Sequence, residues 1–142
     1  MIVSVTKDNE KAWAELCTAL WPDLTIDSLL RLSHEGLFKN EFLYIEGKEA
    51  VAFISLAVRN DYVEGTESSP VGYIEGLYVK PEFRRKGVAG QLVEHAKKWS
   101  DKFGCTELAS DCTLDNEASQ AFHKEVGFVE ANKIVCFTMK LK

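Results

Sequence analysis

The sequence predicts an α/β protein with a mixed, mostly antiparallel central sheet and helices on both of its faces. Segments with apolar residues at helical spacing alternate with short runs at strand spacing. Two of the strand-like runs, 42–46 and 50–59, flank the turn Glu46-Gly47-Lys48 and read as a hairpin. The 142 residues contain no low-complexity linker and no internal repeat, so 1–142 reads as one domain. A chain of that size buries roughly two-thirds of its unfolded surface.

The elements follow in the order βααβββαβαβ. After an opening strand, Asp8 can cap a helix whose apolar face is Trp13, Leu16, Cys17 and Leu20. Trp21-Pro22 ends it, because the residue before proline is pushed out of the helical region. Thr25 starts a short helix carrying Ile26, Leu29 and Leu30. The hairpin comes next, then a polar loop over 61–70 and a strand over 72–79. Val88, Ala89, Leu92, Val93, Ala96, Trp99 and Phe103 mark the buried face of a long helix that Gly104 closes. A strand over 108–111, a helix from Asn116 ending at Gly127, and a strand over 133–141 complete the chain.

Composition excludes several classes of function. The net charge of −5 argues against a nucleic-acid partner, which needs a basic surface. No apolar run approaches the ~20 residues that span a bilayer, and no membrane partner is expected. The first residues lack a basic region followed by an apolar stretch, so no secretory signal is read and the expected compartment is the cytosol. The four cysteines and three histidines are dispersed without metal-ligand spacing, so no metal is expected and the thiols read as reduced.

The first segment with chemistry in it joins the strand ending at Val79 to the long helix. It contains Arg84, Arg85 and Lys86, followed by Gly87, Val88, Ala89 and Gly90. Free amides at a helix N-terminus attract anions, and the small residues let a ligand approach the backbone. Such a loop suits a pyrophosphate; a solvated basic turn is the alternative. Neither the P-loop pattern nor G-x-G-x-x-G is present. The second segment runs from Asn116 to Phe128, with Asn116 a good N-cap and Asp115 favouring the positive helix end. Taken alone it is equally an ordinary capped amphipathic helix.

In this order and about thirty residues apart, the two segments resemble the motifs of the Gcn5-related N-acetyltransferase (GNAT) superfamily. Arg84, Gly87 and Ala89 match Q/R-x-x-G-x-G/A, while Asn116, Ser119, Phe122, Gly127 and Phe128 match the second motif. The resemblance implies the acetyltransferase fold and acetyl-CoA as co-substrate. The pyrophosphate would lie on the amides around Arg85 to Gly90. Pantetheine would run along Leu77, Tyr78 and Val79 in a gap between splayed strands, hydrogen-bonded by Asn116. Where many relatives carry a tyrosine proposed to protonate the leaving thiolate, this chain has His123. A histidine can do that work, or it can be a helix residue without a role.

The acceptor is suggested by other residues. Glu75 lies within the strand Tyr73-Ile74-Glu75-Gly76-Leu77, and Asp111 ends the next strand, followed shortly by Asp115. These carboxylates could converge on a cationic amine; Glu75 could also face solvent, and Asp115 could act only on the helix end. Leu20-Trp21-Pro22, the stretch from Tyr62 to Val79, and Ser110-Asp111 are similar to the short aminoglycoside 6′-N-acetyltransferases. That resemblance implies acetylation of an aminoglycoside, conferring resistance to the antibiotic, by direct attack in a ternary complex. Trp21 and Tyr62 would contact sugar rings, Glu75 and Asp111 would bind ammonium groups, and a homodimer is plausible. Asp111 is the expected base and Glu75 the positioning group. An acetyltransferase for another polyamine or a protein N-terminus, and a non-catalytic CoA-binding sensor, are the rival readings.

Overall fold

The computed structural model describes residues 1–142. In chain order the elements are β1 (Ile2–Ser4), α1 (Glu10–Leu20), α2 (Ile26–His34), β2 (Asn40–Glu46), β3 (Glu49–Arg59), β4 (Val71–Val79), a 3-10 turn (Pro81–Phe83), α3 (Val88–Lys102), β5 (Leu108–Ala109) and α4 (Glu117–Glu125). The strands form one sheet in sequential order. β1 to β4 pair antiparallel, and β5 joins β4 in parallel.

Alternation along the strands assigns apolar residues to two faces. On one face α1 and α2 bury Trp13, Leu16, Cys17 and Leu29 against Leu43 and Phe53. On the other, α3 lays Leu92, Val93, Ala96 and Trp99 over Val51, Ile54, Leu56 and Ile74, and Phe122 of α4 and Val126 just after it pack against the same cluster. Each fully buried side chain of this kind contributes about 1.5–3 kcal/mol, which fixes the sheet between its helices. No helix is long and apolar enough to cross a membrane.

Thr25 caps α2 as expected, its hydroxyl accepting from Ser28 N while Ser28 Oγ accepts from Thr25 N. At α1 the cap position is Asn9, not Asp8. The Asn9 side chain accepts from Thr6 N at 2.7 Å and donates to Ser4 O at 3.1 Å, so it ties β1 to the helix instead of capping it. Phe103, expected on the buried face of α3, is exposed at the C-terminal end, its ring 4.7 Å from that of Trp99. The expected strand over 108–111 is shorter, Leu108–Ala109. The expected final strand over 133–141 is not formed: the chain after α4 has no regular secondary structure. Ile134, Val135, Phe137, Met139 and Leu141 are exposed there, because an alternating pattern makes a strand only where an edge receives it.

Two irregularities position the site. Ser55 pairs with Gly76 but Leu56 pairs with Ile74, so Glu75 is an extra residue, bulged out of β4. β5 meets β4 only at Gly72↔Leu108 and Tyr73↔Ala109, leaving the outer edge of β4 open from Ile74 to Val79.

Candidate active site

β4 ends at Val79, and its exit is fixed by Arg84, whose Nε donates to Val79 O at 2.8 Å while the guanidinium lies over the Tyr78 ring. Arg85 (φ 62°) and Gly87 (φ 82°) are left-handed. This alternation of backbone hand turns successive amides toward one side. The amides of Arg85, Lys86, Gly87, Val88, Ala89 and Gly90 have no backbone partner, the last three because the first turn of a helix lacks acceptors. A Cβ at Gly87 or Gly90 would meet nothing within 4 Å, so space for a ligand lies in front of them. With the exposed side chains of Arg85 and Lys86, this is an anion cradle at the positive end of α3.

The open edge of β4 continues from this cradle. Lys80 N donates to Val51 O of β3. Amide directions alternate along a strand, so those of Leu77 and Val79 point away from β3, into the gap beside β5. At α4, Asn116 Oδ1 accepts from Ser119 N at 3.0 Å, which makes Asn116 the N-cap and leaves its Nδ2 donors for another partner.

On the sheet face under α1 and α2 there is an open cavity of about 940 Å³, whose lining includes Trp21, Phe38, Glu41, Ser55 and Glu75. Glu41, Ser55 and Gly76 form one row across β2, β3 and β4. Trp21 crosses this row at Gly76: a Cβ there would sit 2.5 Å from Trp21 Cζ2, so only glycine admits the indole. The Trp21 ring is held edge-on by Phe53 at 5.6 Å.

Two of the three carboxylates named from the sequence, Glu75 and Asp111, fall into one polar chain. The bulged Glu75 receives Arg59 in a forked pair, Nη2 donating at 2.7 and 2.9 Å and Nε at 3.1 Å. The Arg59 guanidinium stacks 3.5 Å above the Tyr73 ring, and Tyr73 donates its hydroxyl to Asp111 Oδ2 at 2.7 Å. Burial first, and the Asp111 hydrogen bond second, raise the Tyr73 pKa, so this hydroxyl stays protonated as a donor. His123 closes the other side. Its Nδ1 lies 2.7 Å from Ser119 O, so Nδ1 carries hydrogen, and Nε2 lies 2.9 Å from Ser110 Oγ. In the neutral ring Nε2 is then an acceptor, and only the imidazolium could donate a proton from it.

Two named residues stand apart. Tyr62 is 75% exposed, its hydroxyl accepting from Gly65 N at 3.3 Å, and it does not line the cavity. Asp115 is exposed in the turn before α4 and, like Asp111 and His123, does not line the cavity; unlike them it has no side-chain hydrogen bond to these polar groups. Glu41, Arg59 and Tyr73 were not named from the sequence. Starting β2 at Phe42 leaves Glu41 outside the strand. The signal available was Glu41 in phase with Leu43 and Ile45, a charge on an otherwise apolar strand face.

A basic cradle thus follows the C-terminal end of β4, an open strand edge runs back from it, and the acidic groups lie toward the N-terminal half of the same strand. The model of the acetyltransferase (GNAT) family matches residues 3–128. The chain belongs to this family. Among GNAT relatives, the aminoglycoside N(6′)-acetyltransferase type 1 of Acinetobacter haemolyticus is 42% identical over 134 residues, 92% of each chain. The protein of the same name from Serratia marcescens is 38% identical over 148 residues, 99% of each. The ligand-free crystal structure of an aminoglycoside 6′-N-acetyltransferase from Acinetobacter haemolyticus superposes with a TM-score of 0.93 at 39% identity, covering 100% of this chain and 99% of that one. A GNAT structure solved with the bisubstrate analogue CoA-S-monomethyl-acetylneamine superposes with a TM-score of 0.92 at 33% identity, covering 99% of this chain and 97% of that one.

Proposed function

We infer that this protein transfers the acetyl group of acetyl-CoA to the 6′-amino group of an aminoglycoside, and so confers resistance to it. The observation that carries the reading is full-length likeness to a relative solved with CoA and an aminoglycoside joined in one ligand, in a chain that has both an acidic, aromatic cleft and a CoA-type cradle. Acetyl-CoA supplies an activated thioester, whose pyrophosphate suits the amides of Arg85 to Gly90. Leu77, Tyr78 and Val79 would hold the pantetheine arm along the open β4 edge, with Asn116 Nδ2 as a side-chain donor. An amide of Leu77 or Val79, pointing away from β3, would polarise the thioester carbonyl.

On the acceptor side, Trp21 offers a ring face for sugar contact, and Tyr62, exposed in its loop, is the second sugar contact implied by resemblance. Glu75, Asp111 and Asp115 supply negative potential for a polycation. Asp111 is our base, receiving the amine proton while Tyr73 orients it. Glu75 positions the substrate, whose ammonium group competes with Arg59 for the same carboxylate. Direct attack then needs proximity and deprotonation, without an acyl-enzyme. His123 donates to the thiolate only when it is charged. Four free thiols fit a cytosolic setting. The deciding experiment is mass spectrometry of tobramycin after incubation with protein and acetyl-CoA, with fragmentation locating the added acetyl. Modification on the 6′-nitrogen supports the reading, and no modification of any aminoglycoside overturns it.

For the assembly, a homodimer is supported by the segment after Phe128. Val135, Phe137, Met139 and Leu141 alternate with Cys136, Thr138 and Lys140, all exposed, and β5 is an outer strand of the sheet with no neighbour beyond it. A second copy of the chain, offering the same edge and the same segment, satisfies both at once. Light scattering should give twice the chain mass, and Phe137→Glu should shift it toward one.

A further inference from the structure

Glu41 is 4% exposed, yet it lines the acceptor cavity. Its Oε1 accepts from Trp13 Nε1 at 3.0 Å and its Oε2 from Ser55 Oγ at 2.7 Å. No cation pairs with it. The salt bridges of the molecule lie elsewhere, and Arg59, the cation at the neighbouring cleft, is occupied by Glu75. A buried carboxylate without a cation is costly to ionise, so it either keeps a proton or waits for a partner. Here the open side of the carboxylate is a cavity that the amine substrate must enter.

We propose that Glu41 is a substrate-binding residue, a buried carboxylate that pairs with an ammonium group of the acceptor at the floor of the cavity. The proposal rests on the reading of the substrate as a polyamine. The row Glu41–Ser55–Gly76 places this carboxylate beside the β4 bulge, across β3 from Glu75, so two carboxylates line one cavity. An acceptor with several ammonium groups can then place one at depth on Glu41 and present another to the bulge. Trp13 and Ser55 fix the carboxylate from behind, which reduces the ordering needed on binding.

The groups facing Glu41 make this subsite responsive to pH. Burial is the first cause that lifts its pKa, to about 7; the Ser55 and Trp13 hydrogen bonds act against it and Glu75 adds to the rise. Cys17 of α1 faces the same point and is held neutral, its thiol pushed up by burial and by Glu41 itself. Asp23 and Lys39 line the cavity with it. An arriving ammonium group favours the ionised carboxylate, so binding should release a proton near neutral pH.

The experiment combines kinetics with a direct titration. Glu41→Gln should raise KM for tobramycin on the order of tenfold, leave KM for acetyl-CoA unchanged, and remove the pH dependence of kcat/KM near neutrality. Ser55→Ala, which keeps the carboxylate but loses a donor, should move that dependence to higher pH. In the wild type, carbonyl-detected NMR should place the Glu41 titration near pH 7 and show it falling by a unit or more when tobramycin or spermidine is added. A fall with spermidine in a protein that does not acetylate tobramycin would overturn the aminoglycoside reading and leave Glu41 standing. If neither polyamine moves the titration, or if folded Glu41→Gln keeps the wild-type KM and pH profile, the proposal is wrong.

Discussion

Gly76→Ala is the substitution whose outcome follows most directly from the geometry. The added methyl would lie 2.5 Å from Trp21 Cζ2, 2.9 Å from Cη2 and 3.0 Å from Leu20 Cδ2. Carbon atoms at rest stay about 3.5–4.0 Å apart, so the indole must withdraw by roughly 1 Å. It cannot do so freely, because Phe53 and Phe38 hold its other sides. Overpacking of this kind costs about 1–3 kcal/mol. With an unfolding entropy of about 2.1 cal/mol/K per residue, a chain of this length loses about 3–10 °C in Tm. The displaced Trp21 should also raise KM for the aminoglycoside, on the order of tenfold, while KM for acetyl-CoA stays within about twofold. Thermal unfolding by circular dichroism reads the first effect and thiol-release kinetics the second. Trp21→Leu in the same chain removes the clash, so the double variant should be more stable than the sum of the single effects. A Gly76→Ala protein with unchanged Tm and unchanged KM would refute the contact between Trp21 and β4.

Other substitutions separate the remaining roles. Asp111→Asn should lower kcat on the order of a hundredfold with acetyl-CoA affinity intact; calorimetry and turnover together read this, and full turnover would exclude Asp111 as the base. Gly87→Val places a β-branched residue at φ 82°, where strain of about 1–3 kcal/mol should weaken acetyl-CoA binding without changing aminoglycoside affinity, as calorimetry with each ligand would reveal. Stability should also depend on pH through Glu41, whose pKa rises from 4.5 to about 7 on folding. Below about pH 4.5 both states are protonated. Between there and about pH 7 the unfolded chain has lost a proton that the fold retains, so stability falls as pH rises, by about 3 kcal/mol in all. Urea unfolding at pH 5 and pH 8 should reveal that difference in the wild type and a much smaller one in Glu41→Gln.

The parts of the site legible in the sequence are those whose partners are close in the chain. The cradle is one continuous run, Arg84 to Gly90, and the α4 cap joins Asn116 to Ser119. Glu41 was not legible, because Trp13 and Ser55 come from α1 and β3 and only folding brings them to it. Arg59 and Tyr73 were hidden similarly: the bulge that turns Glu75 toward Arg59 is a register shift, which strand periodicity does not carry. The alternation over 133–141 was visible, but an alternating pattern names a strand without naming the edge that receives it. Tyr62 came forward by resemblance alone, and its single hydrogen bond is to its own loop.

The short reach of β5 has a consequence for the whole molecule. β4 and β5 share a ladder only at Gly72 and Tyr73, so the segment that carries α4 joins the sheet by two rungs, supported by Phe122 and Val126 packed on the core. Whatever lies along Ile74 to Val79 bridges β4 and that segment as a strand would. A bridging ligand at a hundred times its Kd adds about 2.7 kcal/mol to the folded state. The co-substrate is then also a fastener. In a cell rich in acetyl-CoA this protein would be harder to unfold and slower to be degraded, and its abundance would follow the metabolic state that supplies its reaction.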